Sequence, residues 1–425
     1  MTGKIRKSLR TNISTLYVLH FANLLLPLIT LPYLLRVLGS ANYGRMAFAY
    51  AFIAYFNVLC DFGFNLAAPR RVAQIRDDSA TLGTFAMTVF VIKFALALVG
   101  FAIMMAVVLL VPGFRADLPL YLLAFLAVFG TALFPVWLFQ GLEQMGRITV
   151  LSITARVITL SGIFLFVRHE DDYLIAAGLQ SSWGLISGTI AMFLLPSMIA
   201  FPVKFPTWAD ITETVKDSWH IFISNVAVNL YSSTNVFLLG LLANPVAVGH
   251  FAAAEKIVKA VTSLFAPVTQ AMYPYIAQRA TRETGDPFSV NRKLLFIQGG
   301  ISLVLSIALV LGANLIVRIL FGEEMMQSAV LMMIMAPLPF AIGVSNVLGI
   351  QTMLNFGLTK QFSRILIASG LLNIALILLT VPTLSAIGAA LSVTTTEIVV
   401  TLTMAVVLYR SNILKPLIGI RAREE

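Results

Sequence analysis

Apolar residues in this chain fall in long unbroken blocks separated by short polar joints. Asn12–Leu35, Phe94–Phe114, Leu118–Leu142, Tyr173–Val203, Leu294–Val317 and Ile365–Thr396 contain no charged residue. Each reaches or exceeds the roughly 20 residues that cross a bilayer as helix. Barrel strands would alternate over about ten residues, and these blocks do not. Hydrocarbon offers backbone groups no partner but one another, so the blocks predict transmembrane helices. The pattern predicts twelve: about 13–36, 44–66, 83–111, 118–142, 148–168, 173–200, 218–243, 249–275, 293–319, 327–352, 363–382 and 385–409. Prolines at Pro27, Pro32, Pro135, Pro196, Pro267, Pro337 and Pro339 predict kinks.

The joints are short, and the longest, about 201–217, holds Pro202, Pro206 and Trp208. It reads as a cytoplasmic interfacial linker between an N-terminal six-helix lobe (1–200) and a C-terminal one (218–409), followed by a tail (410–425). Weak internal repetition supports two lobes. Leu34–Gly39 leading to Tyr43-Gly44 is echoed by Leu238–Ala243 leading to Val248-Gly249, and Gln140…Gly146 by Gln351…Gly357. Six helices per lobe imply a parallel pseudo-twofold about the membrane normal, with a central cleft whose access alternates. The expected fold class is therefore an all-α polytopic membrane protein.

Composition agrees. Hydrophobic residues make up 59% of the 425 and charged residues only 11%, against about a quarter in soluble domains. A soluble enzyme, a disordered chain and a coiled coil are excluded. The net charge of +10 raises the question of nucleic acid, but its distribution answers it. Twenty of the 29 lysines and arginines fall on one side of the predicted topology, in the N-tail, around Arg70, Arg71, Arg76 and Arg147, around Lys204 and Lys216, and in the later joints and tail. Five (Arg36, Arg45, Arg115, Arg168 and Arg318) fall on the other. That bias predicts cytoplasmic termini in a bacterial inner membrane. The basic start resembles a signal-peptide n-region, but the apolar block after it is long and lacks a cleavage site, so a retained helix is expected. Cys60, the sole cysteine, excludes an internal disulfide.

Four basic residues, Lys93, Arg156, Lys256 and Lys259, lie inside predicted helices. A charge at that depth costs several kcal/mol, about 3 on insertion scales, and so marks a functional candidate. Together they form a cationic set suited to a permanent anion such as pyrophosphate, which arginine can hold bidentately. Arg36 and Arg45 join the candidates for an anionic headgroup. Structural pairing or snorkelling is the competing reading, with Glu255 the evident partner in helix 8. Two acids are candidates for ion coupling: Glu397, after three threonines at mid-helix, and Asp61, near a helix end. Asn23, Gln140, Asn225, Asn229 and Gln351 would suit a wet, sugar-lined cleft, or serve as interhelical glue. Walker, HExxH and GxSxG motifs are absent, and no metal or cofactor is expected.

Patches along the whole chain resemble the Wzx-type O-antigen flippases of the multidrug/oligosaccharidyl-lipid/polysaccharide exporter superfamily. They include Leu31–Gly39, Asn42–Gly44, Asp61–Leu66, Phe134–Gly141, Gln180–Ser182, Phe222–Ser224, Ala253–Ile257, Gln270–Pro274, Pro337–Phe340 and Gly349–Gln351. The resemblance implies twelve helices in two lobes, and translocation of an undecaprenyl-pyrophosphate-linked oligosaccharide from the cytoplasmic to the periplasmic leaflet. The implied partners are that lipid-linked substrate, the bilayer, and an O-antigen polymerase with its chain-length regulator. Arg36, Asp61, Lys93, Gln140, Arg156, Gln351 and Glu397 lie in stretches matching the family; Lys256 and Lys259 fall where its members vary. A cation-coupled drug exporter of the same superfamily would need acids in its cleft. A membrane glycosyltransferase or polymerase needs catalytic groups in a large outer loop, and the outer joints are short. A purely structural assembly partner has no use for deep charges.

Overall fold

The computed structural model describes residues 2–197, 204–280 and 286–419, with side chains from residue 24 onward except 197, 224, 227–233, 271, 274, 279 and 280. Among the described residues nearly all backbone is helical and no strand forms. In chain order the helices are α1 (Thr2–Asp61), α2 (Phe64–Ile75), α3 (Ser79–Leu110), α4 (Pro112–Arg115), α5 (Leu118–Leu133), α6 (Val136–Gly141), α7 (Met145–Phe166) and α8 (Tyr173–Leu194). They continue as α9 (Trp208–Leu242), α10 (Pro245–Ser263), α11 (Ala266–Ala280), α12 (Ser289–Leu320), α13 (Gln327–Met335), α14 (Leu338–Asn346), α15 (Thr359–Arg410) and α16 (Leu414–Ile418). A π-helical stretch, Val347–Met353, follows α14.

Eight stretches of the described chain are long and apolar enough to cross a membrane. Two of them, Leu24–Ile75 and Thr359–Arg410, are 52 residues long. Straight, each would reach about 78 Å at 1.5 Å per residue, against a hydrocarbon core of about 30 Å. Within α1 the chain breaks at Gly39 (φ 73°, ψ 172°), and within α15 at Ser385 (φ 51°, ψ −130°). The hydrophobic pattern put short loops at both places; the chain turns within one residue instead. A Cβ on Gly39 would meet nothing within 4 Å, so glycine is needed there for its backbone conformation.

Of the interfacial segment expected at 201–217, residues 208–217 are helical, and they run on without a break as the opening turns of α9 to Leu242. Thr207 caps it: Asp210 Oδ2 accepts from Thr207 N (2.8 Å) and Thr207 Oγ1 (2.7 Å), while Thr207 Oγ1 accepts from Asp210 N. Elsewhere proline divides helices as expected. Pro135 separates α5 from α6, Pro267 lies at the start of α11, and Pro337 stands between α13 and α14. Pro27 and Pro32 sit within α1 without ending it.

Backbone contacts divide the chain into two compact units, Met1–Thr234 and Asn235–Glu425. In the first, α5 packs along α8, and α1 against α5 and α7. Glycine sets the α5–α8 distance. A Cβ on Gly184 would lie 3.1 Å from Gly130 Cα, and one on Gly188 2.9 Å from Leu133 Cβ. Gly184-Leu-Ile-Ser-Gly188 is a GxxxG face, which lets helix backbones approach closely in lipid. Trp137, Phe64, Val72 and Val89 fill one core, and the rings of Phe52, Phe56, Phe114, Tyr121 and Phe125 interlock in another part of the unit. In the second unit α12 packs on α13 and α14, and α15 on α13 and α14. Met353, Met404, Leu408 and Leu417 are buried together. Large apolar side chains also point outward, among them Leu110 (79% exposed) and Leu311 (81%). On the spans such a surface is matched to lipid rather than water.

Candidate functional site

Asp61 ends α1, and Phe62 (φ 47°) and Gly63 (φ 78°) then turn the chain into α2. A Cβ on Gly63 would come within 2.9 Å of Ile221 Cγ2 and 3.1 Å of Phe222 N. Both the positive φ and the close approach of α9 therefore require glycine. The turn aims the Gly63 and Asn65 amides at the Asp61 carboxylate. Lys93 reaches the same place from α3. It is wholly buried, and its Nζ lies 3.6 Å from Asp61 Oδ1, whose side chain is 18% exposed. Cys60 Sγ packs beside the pair, donating to the carbonyls of Lys93 and Val128. Two residues singled out for different roles thus form one ion pair. Asp61 is the counter-ion of Lys93.

Arg156 is placed differently. It projects from α7 onto α8, with Cζ 4.2 Å above the centre of the Trp183 ring. Its Nε is buried without a hydrogen bond, and it has no acidic partner among the described residues. Indole is the best cation–π platform, and a planar guanidinium lies flat on it. The forked edge of the guanidinium keeps donors in reserve. Arg45 lies 4.0 Å from Asp117, with both side chains partly in the open. Arg36 is exposed, three residues before the Gly39 break.

In the second unit Lys259 pairs with Glu255 at 3.0 Å, one turn away on α10. Lys256 is half-buried and has no ion-pair partner among the described residues. Glu397 is half-buried in α15, and its main-chain carbonyl accepts from Thr401 Oγ1 at 2.8 Å. Gln351 is wholly buried: its Nε2 donates to the Thr269 carbonyl, and its own carbonyl accepts from Asn291 and Asn355. That arrangement joins helix segments rather than lining open space. Gln140 is half-buried at the end of α6, and Asn225 half-buried on α9. The side chains of Asn23 and Asn229 lie outside the described residues. The structure also joins residues the sequence reading left unassigned. Asn291 donates to Thr352 Oγ1, Gln298 to the Gly343 carbonyl, Asn373 to Thr396 Oγ1, and His250 Nδ1 lies 3.1 Å from Ser328 Oγ. Among the described residues no cluster of three or more His, Cys, Asp or Glu is arranged to hold a metal ion.

Long apolar helices with outward-facing hydrophobic side chains, and charged groups sequestered among them, define a multi-pass integral membrane protein. The chain belongs to the family described as polysaccharide biosynthesis protein, whose sequence pattern matches residues 9–280. A protein of Escherichia coli (strain K12) named for O-antigen transport is 34% identical over 407 residues, covering 96% of this chain and 98% of that one. Two solved structures share the fold. One is the lipid II flippase MurJ in an inward closed conformation (TM-score 0.70, 14% identity, 95% of this chain and 90% of that chain). The other is an inward-facing multidrug resistance transporter of the MATE family in the MOP superfamily (TM-score 0.68, 13% identity, 92% and 95%). At these identities the likeness is one of fold. One is named for lipid II and the other for multidrug resistance, so function rests on the site.

Proposed function

We propose that this protein is a flippase, not an enzyme, that moves O-antigen or related repeat units linked to undecaprenyl pyrophosphate. It carries them from the cytoplasmic to the periplasmic leaflet of a bacterial inner membrane. Two six-helix lobes alternate access to a central cleft, with both termini cytoplasmic. Family membership and the naming of the Escherichia coli relative for O-antigen transport support this reading. The observation that carries it is Arg156: a cation within a 22-residue apolar helix, backed by Trp183 and with no acid beside it among the described residues. A group so placed is costly unless a ligand takes its charge, and a pyrophosphate suits its forked donors. An exporter of cationic drugs would gain nothing from it.

In this reading Lys256 is a further anion contact, while Lys93 and Lys259, held by Asp61 and Glu255, serve structure. Glu397 is the ion-coupling acid. The polymerase and the chain-length regulator receive the product on the outer face.

The test uses proteoliposomes and a fluorescent polyprenyl-pyrophosphate-linked oligosaccharide. Arg156→Gln is expected to lower flipping at least tenfold while remaining inserted, and Arg156→Lys to lower it less. Flipping at the wild-type rate by Arg156→Gln refutes the reading. Glu397→Gln is expected to retain flipping but lose its stimulation by an imposed pH gradient.

A further inference from the structure

At one end of the first unit, α2, α3 and the opening turns of α9 line a half-open cavity of about 140 Å³, with Arg71, Thr81, Glu213 and Asp217 exposed at its mouth. Phe64, Ala68, Ile75 and Phe85 form its apolar wall, and Thr81, Thr84 and Thr88 present hydroxyls from α3. Helix α9 contributes Asp210, Glu213, Thr214, Asp217 and Ser218, and α2 contributes Arg71. A mixed lining of this kind does not by itself name a ligand. Its hydrogen-bond arithmetic does.

Each threonine hydroxyl has already spent its proton. Thr84 donates to the Ala80 carbonyl (3.1 Å), Thr88 to the Thr84 carbonyl (2.8 Å), Thr214 to the Asp210 carbonyl (2.7 Å), and Thr81 to Asp78. A hydroxyl has one donor and two lone pairs, so these four now offer acceptors only. The three carboxylates are acceptors as well. Asp210 is occupied in part by its cap bonds with Thr207, but Glu213 and Asp217 enter no ion pair among the described residues. They sit in the second and third turns of α9, past its positive end. Arg71 is the lone charged donor in a lining with three acids, and it too is unpaired among the described residues. Ser218 adds an independent sign. It is 2% exposed, lines the cavity, and has no hydrogen-bond partner among the described residues. What little of the residue is accessible opens into the cavity, where its hydroxyl is free to bond a ligand.

A complementary ligand carries positive charge, brings several hydrogen-bond donors, and presents one apolar face to Phe64 and Phe85. It is also small, since drug-sized molecules occupy roughly 300–1,000 Å³. We infer that this cavity is a binding site for a small hydroxylated primary amine. Its ammonium lies between Glu213 and Asp217, its hydroxyls donate to the threonine oxygens and meet Ser218, and Arg71 donates to an oxygen of the ligand. The inference stands apart from the transport reading, because none of these residues belongs to the Arg156 site. Two sources share this chemistry: an amino sugar, and the ethanolamine headgroup of a phospholipid.

The experiment titrates three sugars of one ring size and different charge into the full chain in phosphatidylcholine nanodiscs. The probes are glucosamine, glucose and glucuronic acid, followed by calorimetry. Glucosamine is expected to bind at least tenfold more tightly than glucose, and glucuronic acid to give no signal. Glu213→Gln, exposed and safe for folding, and the Glu213→Gln/Asp217→Asn pair are each expected to erase the preference for the amine. Ser218→Ala weakens glucosamine severalfold. Repeating the titration in phosphatidylethanolamine nanodiscs separates the sources. Weakened glucosamine binding assigns the cavity to the headgroup, and unchanged binding assigns it to a soluble amino sugar. Equal binding of the three sugars, or acid-neutralised variants that bind glucosamine like wild type, overturns the inference.

Discussion

The two units keep polar groups inside a lipid-matched fold with different emphasis. The first uses charge. It buries Lys93 against Asp61 and lays Arg156 on Trp183, and elsewhere in the unit it interlocks aromatic rings and brings α5 and α8 together at glycines. The second holds the Glu255–Lys259 pair, Lys256 and Glu397 beside a larger set of neutral amides and hydroxyls. Asn291, Gln298, Gln351 and Asn373 each bond to a carbonyl or hydroxyl of a neighbouring segment. A charge pair is all or nothing, since either member left alone is stranded in a medium that cannot solvate it. A neutral amide that loses its partner is a smaller penalty, and other partners are within reach. The first unit should therefore be brittle to single substitutions, and the second tolerant.

The largest expected effect tests that contrast at its extreme. Lys93→Met strands Asp61, and breaking a buried pair costs on the order of 3–5 kcal/mol. With Asp61 18% exposed, the lower end is expected. Asp61→Asn/Lys93→Met should recover most of the loss in thermal unfolding of the detergent-solubilised protein. A single variant as stable as wild type, with flipping abolished, would return Lys93 to the substrate. Next in size is Gly184→Leu. It forces a side chain into the α5 backbone at Gly130 and should cost about 1–3 kcal/mol or more, read in the same assay.

Smaller effects come from the second unit. Ser385→Gly relieves a backbone conformation (φ 51°, ψ −130°) that belongs to glycine and should stabilise by about 1 kcal/mol. Gly39→Ala, at the corresponding break in the first unit, should destabilise by a similar amount. Opposite signs confirm that both breaks are set by backbone conformation. Gln298→Leu should cost only about 0.6 kcal/mol, the mean for an interhelical hydrogen bond in lipid. The smallest effect lies at the α3 cap. The Thr81 hydroxyl, then the backbone amides of Thr81 and Ala80, hold the Asp78 carboxyl below its ordinary range. A lowered carboxylate contributes stability that is present above its unfolded value and lost as pH falls through its folded one. Asp78→Ala should remove part of the acid-side fall in the unfolding midpoint and leave its shape at neutral pH unchanged.

Much of the fold could be read from the sequence because hydrocarbon forces long apolar helices, and length and hydropathy record them. Pro135 and Pro337 marked real divisions for the same local reason. What could not be read was which face meets which. Lys93 and Asp61 were both conspicuous, yet they lie 32 positions apart, and no periodicity announces that two such residues touch. Gln351, polar and deep, suited either a sugar-lined cleft or a bond between helices. It is enclosed against Thr269 and Asn291, and its partners come from distant parts of the chain. The α5–α8 contact had a signal that went unused, the Gly184…Gly188 spacing. The breaks at Gly39 and Ser385 were placed within a few residues, but as loops, because hydropathy locates a helix end without fixing the dihedral that makes it.

The π-helical stretch at Val347–Met353 has a consequence for descent. Its wide turns show in Thr352 Oγ1 donating to the Val347 carbonyl and in the Leu354 and Leu358 amides reaching back five residues, to Gly349 and Met353. A π turn accommodates one residue more than an α turn over the same rise. Deleting that residue would straighten the helix and rotate everything beyond it by about 100°, one step of a 3.6-residue turn. The Gln351 carbonyl, held by Asn291 and Asn355, would swing to another side. Length at this point is thus inherited in whole steps: a lineage that loses one residue here must also replace the asparagines that answer it.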